Sequence, residues 1–158
     1  VSSPITSVDT VYVGTQSGSF FALDAEAGRL IWEYPCDGAI NRGGIIVFTS
    51  VMFASQGKWL YCCEKYDGSL KWKAPLKNKP AATLMHVGSI NSLVISLSKD
   101  GFLEAFDTMS GAVRWRVSLR KEVESHPLIA GNRLYLGSVD GEICCLEFNP
   151  GEKPVKVG

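Results

Sequence analysis

Apolar positions in this chain come in short runs and not in helical stripes. Val11-Tyr12-Val13-Gly14, Leu93-Val94-Ile95-Ser96 and Leu134-Tyr135-Leu136-Gly137 are rich in β-branched and aromatic side chains. Each is closed by a polar turn: Gln16-Ser17-Gly18, Lys99-Asp100-Gly101 or Val139-Asp140-Gly141. Runs of this kind bounded by Gly, Asp and Ser predict strands joined by hairpins. A second strand is expected over Phe20 to Leu23, Leu60 to Cys63, Phe102 to Phe106 and Ile143 to Leu146. It ends at an acid-to-glycine turn, after which a further strand carries a tryptophan. With one more strand after Pro4 or Pro127, the pattern predicts four short antiparallel strands in about 40 residues.

The pattern repeats. Ala22, Asp24, Gly28 and Trp32 share columns, without a gap, with Cys62, Glu64, Gly68 and Trp72 and with Ala105, Asp107, Gly111 and Trp115. Cys145, Glu147 and Gly151 open a fourth row that lacks the tryptophan, so the last unit is expected to be terminal or completed by other residues. The glycines recur after 40, 43 and 40 residues, the period of a β-propeller blade. Upstream, Ser2-Ser3-Pro4 matches Ser125-His126-Pro127, and each proline stands 14 residues before a glycine, Gly18 or Gly141. The expectation is an all-β chain of about four blades, approximately 1–39, 40–79, 80–121 and 122–158, each of four antiparallel strands.

The columns have a physical reading. The acid can accept hydrogen bonds from amides of its own turn, and the glycine supplies the positive φ of a tight turn. A tryptophan buries on the order of 200 Å² and needs a small residue opposite to lie flat; Ala22, Cys62, Ala105 and Cys145 are those residues. Because a blade cannot bury both faces alone, the tryptophan is expected to wedge between consecutive blades.

Composition narrows the functional classes. Sixteen basic residues balance sixteen acidic ones over 158 positions, and both signs are interspersed, which argues against nucleic acid as a partner. No apolar run approaches the roughly 20 residues of a membrane helix, so no membrane insertion is expected. The opening residues read as the middle of a domain, suggesting a mature or excised fragment. Five cysteines, with adjacent pairs at 62–63 and 144–145, do not form an even disulfide framework, and the expectation from them is a cytoplasmic, reducing compartment.

The row small-x-acid-x-x-x-Gly-x-x-x-Trp resembles the tryptophan-docking motif of the pyrroloquinoline quinone (PQQ)-like, quinoprotein-type propeller family, and the resemblance covers the whole chain. It implies a closed ring of seven or eight blades, of which this chain would supply about half. The remaining blades would come from the same parent polypeptide or from a second copy of the chain. The family includes PQQ-dependent alcohol dehydrogenases, a non-enzymatic outer-membrane-assembly lipoprotein and C-terminal propellers of acyl-activating enzymes. Leu60-Tyr61-Cys62-Cys63 is similar to repeats of the last group, the aminoadipate-semialdehyde dehydrogenase or β-alanine-activating type. The expected function is therefore a non-catalytic scaffold for a protein partner or small ligand, attached to an acyl-activating enzyme, with no cofactor. The alternative is a fragment of a periplasmic PQQ-dependent alcohol dehydrogenase, with PQQ and calcium.

Candidate chemistry lies in departures from the repeat. PQQ-dependent methanol dehydrogenases carry a disulfide between adjacent cysteines. Here Cys62 and Cys145 fall in the small docking column, and alternation along a strand points neighbours to opposite faces, so the cysteines are read as small hydrophobes. Neither pair has zinc-ligand spacing. No catalytic residue or metal ligand is assigned, and the recurring Asp24, Glu64, Asp107 and Glu147 are read as structural. His126 shares a column with Gly43 and Thr83 on the expected innermost strand, where it could meet a ligand; His86 is expected just after the inner strand of the third blade. Arg42 in Asn41-Arg42-Gly43-Gly44 could hold an anion. Trp59, outside the docking column, could mark a partner patch, though packing on the neighbouring blade is preferred.

Overall fold

The computed structural model describes residues 2–123, 125–149 and 152–157. Among them there is no helix, and the strands form four sheets. The first contains β1 (Ile5–Thr6), β2 (Thr10–Gly14), β3 (Ser19–Asp24) and β4 (Leu30–Pro35); the second β5 (Ile45–Val47), β6 (Ser50–Ser55), β7 (Trp59–Glu64) and β8 (Leu70–Pro75). The third contains β9 (Met85–Val87), β10 (Leu93–Leu97), β11 (Phe102–Asp107) and β12 (Val113–Ser118); the fourth β13 (Leu128–Ala130), β14 (Arg133–Gly137), β15 (Ile143–Glu147) and β16 (Val155–Lys156). Each sheet is a meander in chain order, with antiparallel neighbours throughout. The chain divides into two compact units, Val1–Leu84 with the first two sheets and Met85–Gly158 with the last two.

Register explains the small column. Ala22 faces Trp32, Cys62 faces Trp72 and Ala105 faces Trp115 across their strand pairs, each with a bulge immediately after the small residue. The upstream match also has a cause. Ser2 Oγ accepts from the Gly14 amide (2.8 Å) and donates to the Gly14 carbonyl (3.3 Å). Ser125 repeats this double bond with Gly137 at 2.7 and 3.1 Å. Both serines thus tie the lead-in segment to the end of the second strand.

In the first unit, Phe20 of the first sheet stacks on Phe53 of the second, 3.9 Å between centroids and 9° between planes. Tyr12, Trp32, Ile40, Val51, Tyr61 and Cys63 complete that core. The second unit buries Val94, Ile95, Leu103, Phe106, Leu134, Leu136 and Leu146.

The fourth sheet is completed without a tryptophan. Its outer strand is supplied by its own residues, Val155 and Lys156, which pair with Glu147 and Leu146. Val157 donates its amide to the Cys145 carbonyl at 2.8 Å, so it stands where the other sheets place tryptophan, two residues later in the chain. The connection is longer by those two residues, and Pro154 lies within it. Gly151 lies outside the described residues.

Candidate functional site

The docking column is a built device in the first unit. Trp32 is buried, and its indole Nε1 donates to the Lys65 carbonyl at 3.0 Å; the Tyr12 hydroxyl donates to the same oxygen at 3.0 Å. The ring lies against Gly68, where a Cβ would sit 2.6 Å from Trp32 Cδ2. Gly68 is therefore needed twice, for its φ of +73° and for the approach of the indole.

The acids hold their turns unequally. Asp24 Oδ1 accepts from the amides of Glu26 and Ala27 at 3.1 and 2.6 Å. Asp107 Oδ1 accepts from those of Met109 and Ser110 at 3.1 and 2.9 Å, while Oδ2 pairs with Arg114 at 2.7 Å. The Arg114 contact, with these turn hydrogen bonds, holds the Asp107 carboxyl down at about 2. Glu64, one methylene longer, accepts from the Lys65 amide at 3.1 Å and pairs with Lys71 at 2.9 Å, and Glu147 pairs with Arg133 at 3.0 Å.

The individual candidates are not gathered into one pocket. His126 is exposed and lies two residues before β13, not within it; Thr83 and Gly43 hold the same place before β9 and β5. Arg42 is exposed in the segment leading to β5. Trp59 opens β7, packs against the core of the first unit and carries Lys73 Nζ over its ring at 4.5 Å. His86 lies within β9 opposite Val94, and burial lowers its pKa.

The cysteines do not fit a quinone site. Cys62 and Cys63 are fully buried mid-strand on β7, facing Met52 and Val51, and all five are free thiols. Burial raises the Cys62 thiol and pushes Cys63 and Cys36 up to about 12. Such groups are protonated at neutral pH and pack as small hydrophobes. Among the described residues, no group of three or more His, Cys, Asp or Glu is placed to hold a metal ion.

Two features were not read from the sequence. Glu104, whose side chain is almost fully buried on β11, pairs with Arg116 at 3.0 Å; it stands where Phe21, Tyr61 and Cys144 stand in the other sheets. This break in an apolar column was the available signal. The second unit also holds a cavity of about 250 Å³ beside Trp115 and Phe148. No sequence signal marked it, because its walls come from two neighbouring sheets of the unit.

Four-stranded meanders with a buried tryptophan within each unit, Trp32 lying on Gly68 and Trp115 on Phe148, define a PQQ-like β-propeller repeat protein. The chain belongs to the family described as outer membrane protein assembly factor BamB, whose model matches residues 1–89 and 56–153. It is similar to the assembly factor BamB of Yersinia pestis, 22% identical over 159 residues that cover 90% of this chain and 40% of the relative. A shorter likeness, 29% over 93 residues, covers 53% of this chain and 15% of a quinoprotein ethanol dehydrogenase from Pseudomonas aeruginosa. Among solved structures, BamB from Moraxella catarrhalis superposes with a TM-score of 0.73 at 22% identity, over 88% of this chain and 43% of that one. The chain thus spans about two-fifths of the length of the BamB relatives it matches.

These relatives correct the compartment. Assembly factors of outer membrane proteins work at the cell envelope, so the cytoplasmic expectation is overturned. It rested on an odd cysteine count, and that count reflects packing in part: Cys62, Cys63 and Cys144 are buried within strands. The acyl-activating parent is not supported by these matches.

Proposed function

We propose that this chain is part of a non-catalytic β-propeller scaffold that binds a protein partner during assembly of outer membrane proteins, on the periplasmic side of that membrane. The observation that carries the reading is the family match across residues 1–153. The geometry supports it, because the residues that recur in the docking columns are used in packing and turn formation. Arg42 and His126, exposed departures from the repeat at the lead-in to β5 and β13, are the side chains assigned to partner or ligand contact.

Deleting the gene of the parent protein tests this. The folded, heat-modifiable fraction of outer-membrane β-barrels should fall and be restored by the wild-type gene, and Arg42→Glu with His126→Asp should restore it less than half as well at equal protein level. An unchanged folded fraction on deletion would overturn the reading. A second reading, a segment of a quinoprotein dehydrogenase, is favoured by the likeness to the ethanol dehydrogenase. The misfit of the cysteines and the lack of a metal cluster among the described residues weigh against it.

A further inference from the structure

The two tryptophan junctions internal to the units are built from corresponding residues, yet only one is closed. In the first, the Lys65 carbonyl takes hydrogen bonds from both Tyr12 and Trp32. In the second, Ile95 stands where Tyr12 stands, each opposite the small docking residue, and Phe148 stands where Lys65 stands, just after the turn acid. Trp115 is only 4% exposed and stacks on Phe148, with centroids 5.7 Å apart and 23° between planes. Its indole N–H has no hydrogen-bond partner. A buried donor left unpaired is rare in folded proteins.

The same indole lines the cavity of about 250 Å³, whose walls include Val87, Leu93 and Phe148 and whose mouth includes the exposed Ile90 and Arg114. Cavities of about 150 Å³ with apolar linings already accept benzene, so this one has room for a substituted ring. The lining also carries Asn91, Asn132, Asn149 and Glu152, but the buried donor without a partner is the Trp115 indole, so a mainly apolar molecule that brings one acceptor to it fits the site. Flat aromatic walls favour a planar one.

We propose that the cavity at Trp115 is a binding site for a small planar, mainly apolar molecule bearing a carbonyl oxygen, which accepts the Trp115 indole N–H while its ring packs against Phe148. This site is independent of the partner contacts assigned to Arg42 and His126.

The test uses the full 158-residue chain, ¹⁵N-labelled, titrated with acetophenone and with ethylbenzene. The two probes are close in shape and differ by a carbonyl in place of a methylene. Acetophenone should shift the indole resonance that disappears in Trp115→Phe and leave that of Trp32 in place, binding at least tenfold more tightly than ethylbenzene. Trp115→Phe keeps an aromatic wall and should erase that preference. Ile90→Asp, at an exposed mouth position that does not threaten the fold, should weaken both probes at least threefold. A Trp115 resonance that stays still up to the solubility limit of acetophenone, a preference retained in Trp115→Phe, or affinities unchanged by Ile90→Asp would each overturn the proposal.

Discussion

At the scale of single residues, the repeat assigns the same letter to positions with different duties. Gly28 and Gly68 share a column and nearly the same φ, +68° and +73°, but a Cβ at Gly28 meets nothing within 4 Å while one at Gly68 strikes the Trp32 ring. Gly28→Ala should therefore cost only left-handed backbone strain, about 1 kcal/mol. Gly68→Ala should cost roughly 2–3 kcal/mol, since displacing the indole adds the overpacking penalty; urea denaturation of the two variants compares them directly. The tryptophans divide in the same way. Trp32→Phe deletes a made hydrogen bond and leaves the Lys65 carbonyl one donor short, whereas Trp115→Phe deletes an unpaired one. Trp32→Phe should be the more destabilising by about 1 kcal/mol, and equal losses would contradict the account of the open junction. The columns were legible because register repeats them. Which glycine lies under an indole was not, since that depends on the neighbouring sheet.

At the scale of elements, the strands and hairpins followed from apolar runs and polar turns, and the tryptophan strand followed from its column. The fourth outer strand did not. Without tryptophan, and with Pro154 inside a connection two residues longer, the pair Val155–Lys156 carried no pattern to read. The turn after β11 shows why an aspartate is more than a spacer. Arg114, with the turn amides, lowers the Asp107 pKa to about 2, whereas an unfolded aspartate titrates near 3.9. A depressed folded value means the stabilisation is fully present above about pH 4 and is lost as pH falls toward about 2. The exposed Asp140, lowered to about 2 by Ser138 and Lys121, adds to the same window. Asp107→Asn should be less stable than wild type at pH 7, with the gap in urea midpoint narrowing below about pH 4. A constant gap from pH 7 to pH 2 would show that the ion pair contributes nothing.

At the scale of the whole molecule, fold class was readable from the period of about 40 residues, and compartment was not. Cysteine number stands in for redox environment only when the thiols are free to pair. Cys62 and Cys63 are committed to a buried strand, so their count carried packing information that was read as location. The same commitment bears on function. The recurring acids hold turns or ion pairs, Cys62 and Cys63 pack in the core, and Trp32 and Trp115 are buried, so these residues have structural duties that the proposed scaffold role shares. The most direct test is dye-linked alcohol oxidation by the full-length parent protein supplied with PQQ and calcium. The scaffold account predicts no turnover above the background without protein, and turnover that depends on both PQQ and calcium would contradict it.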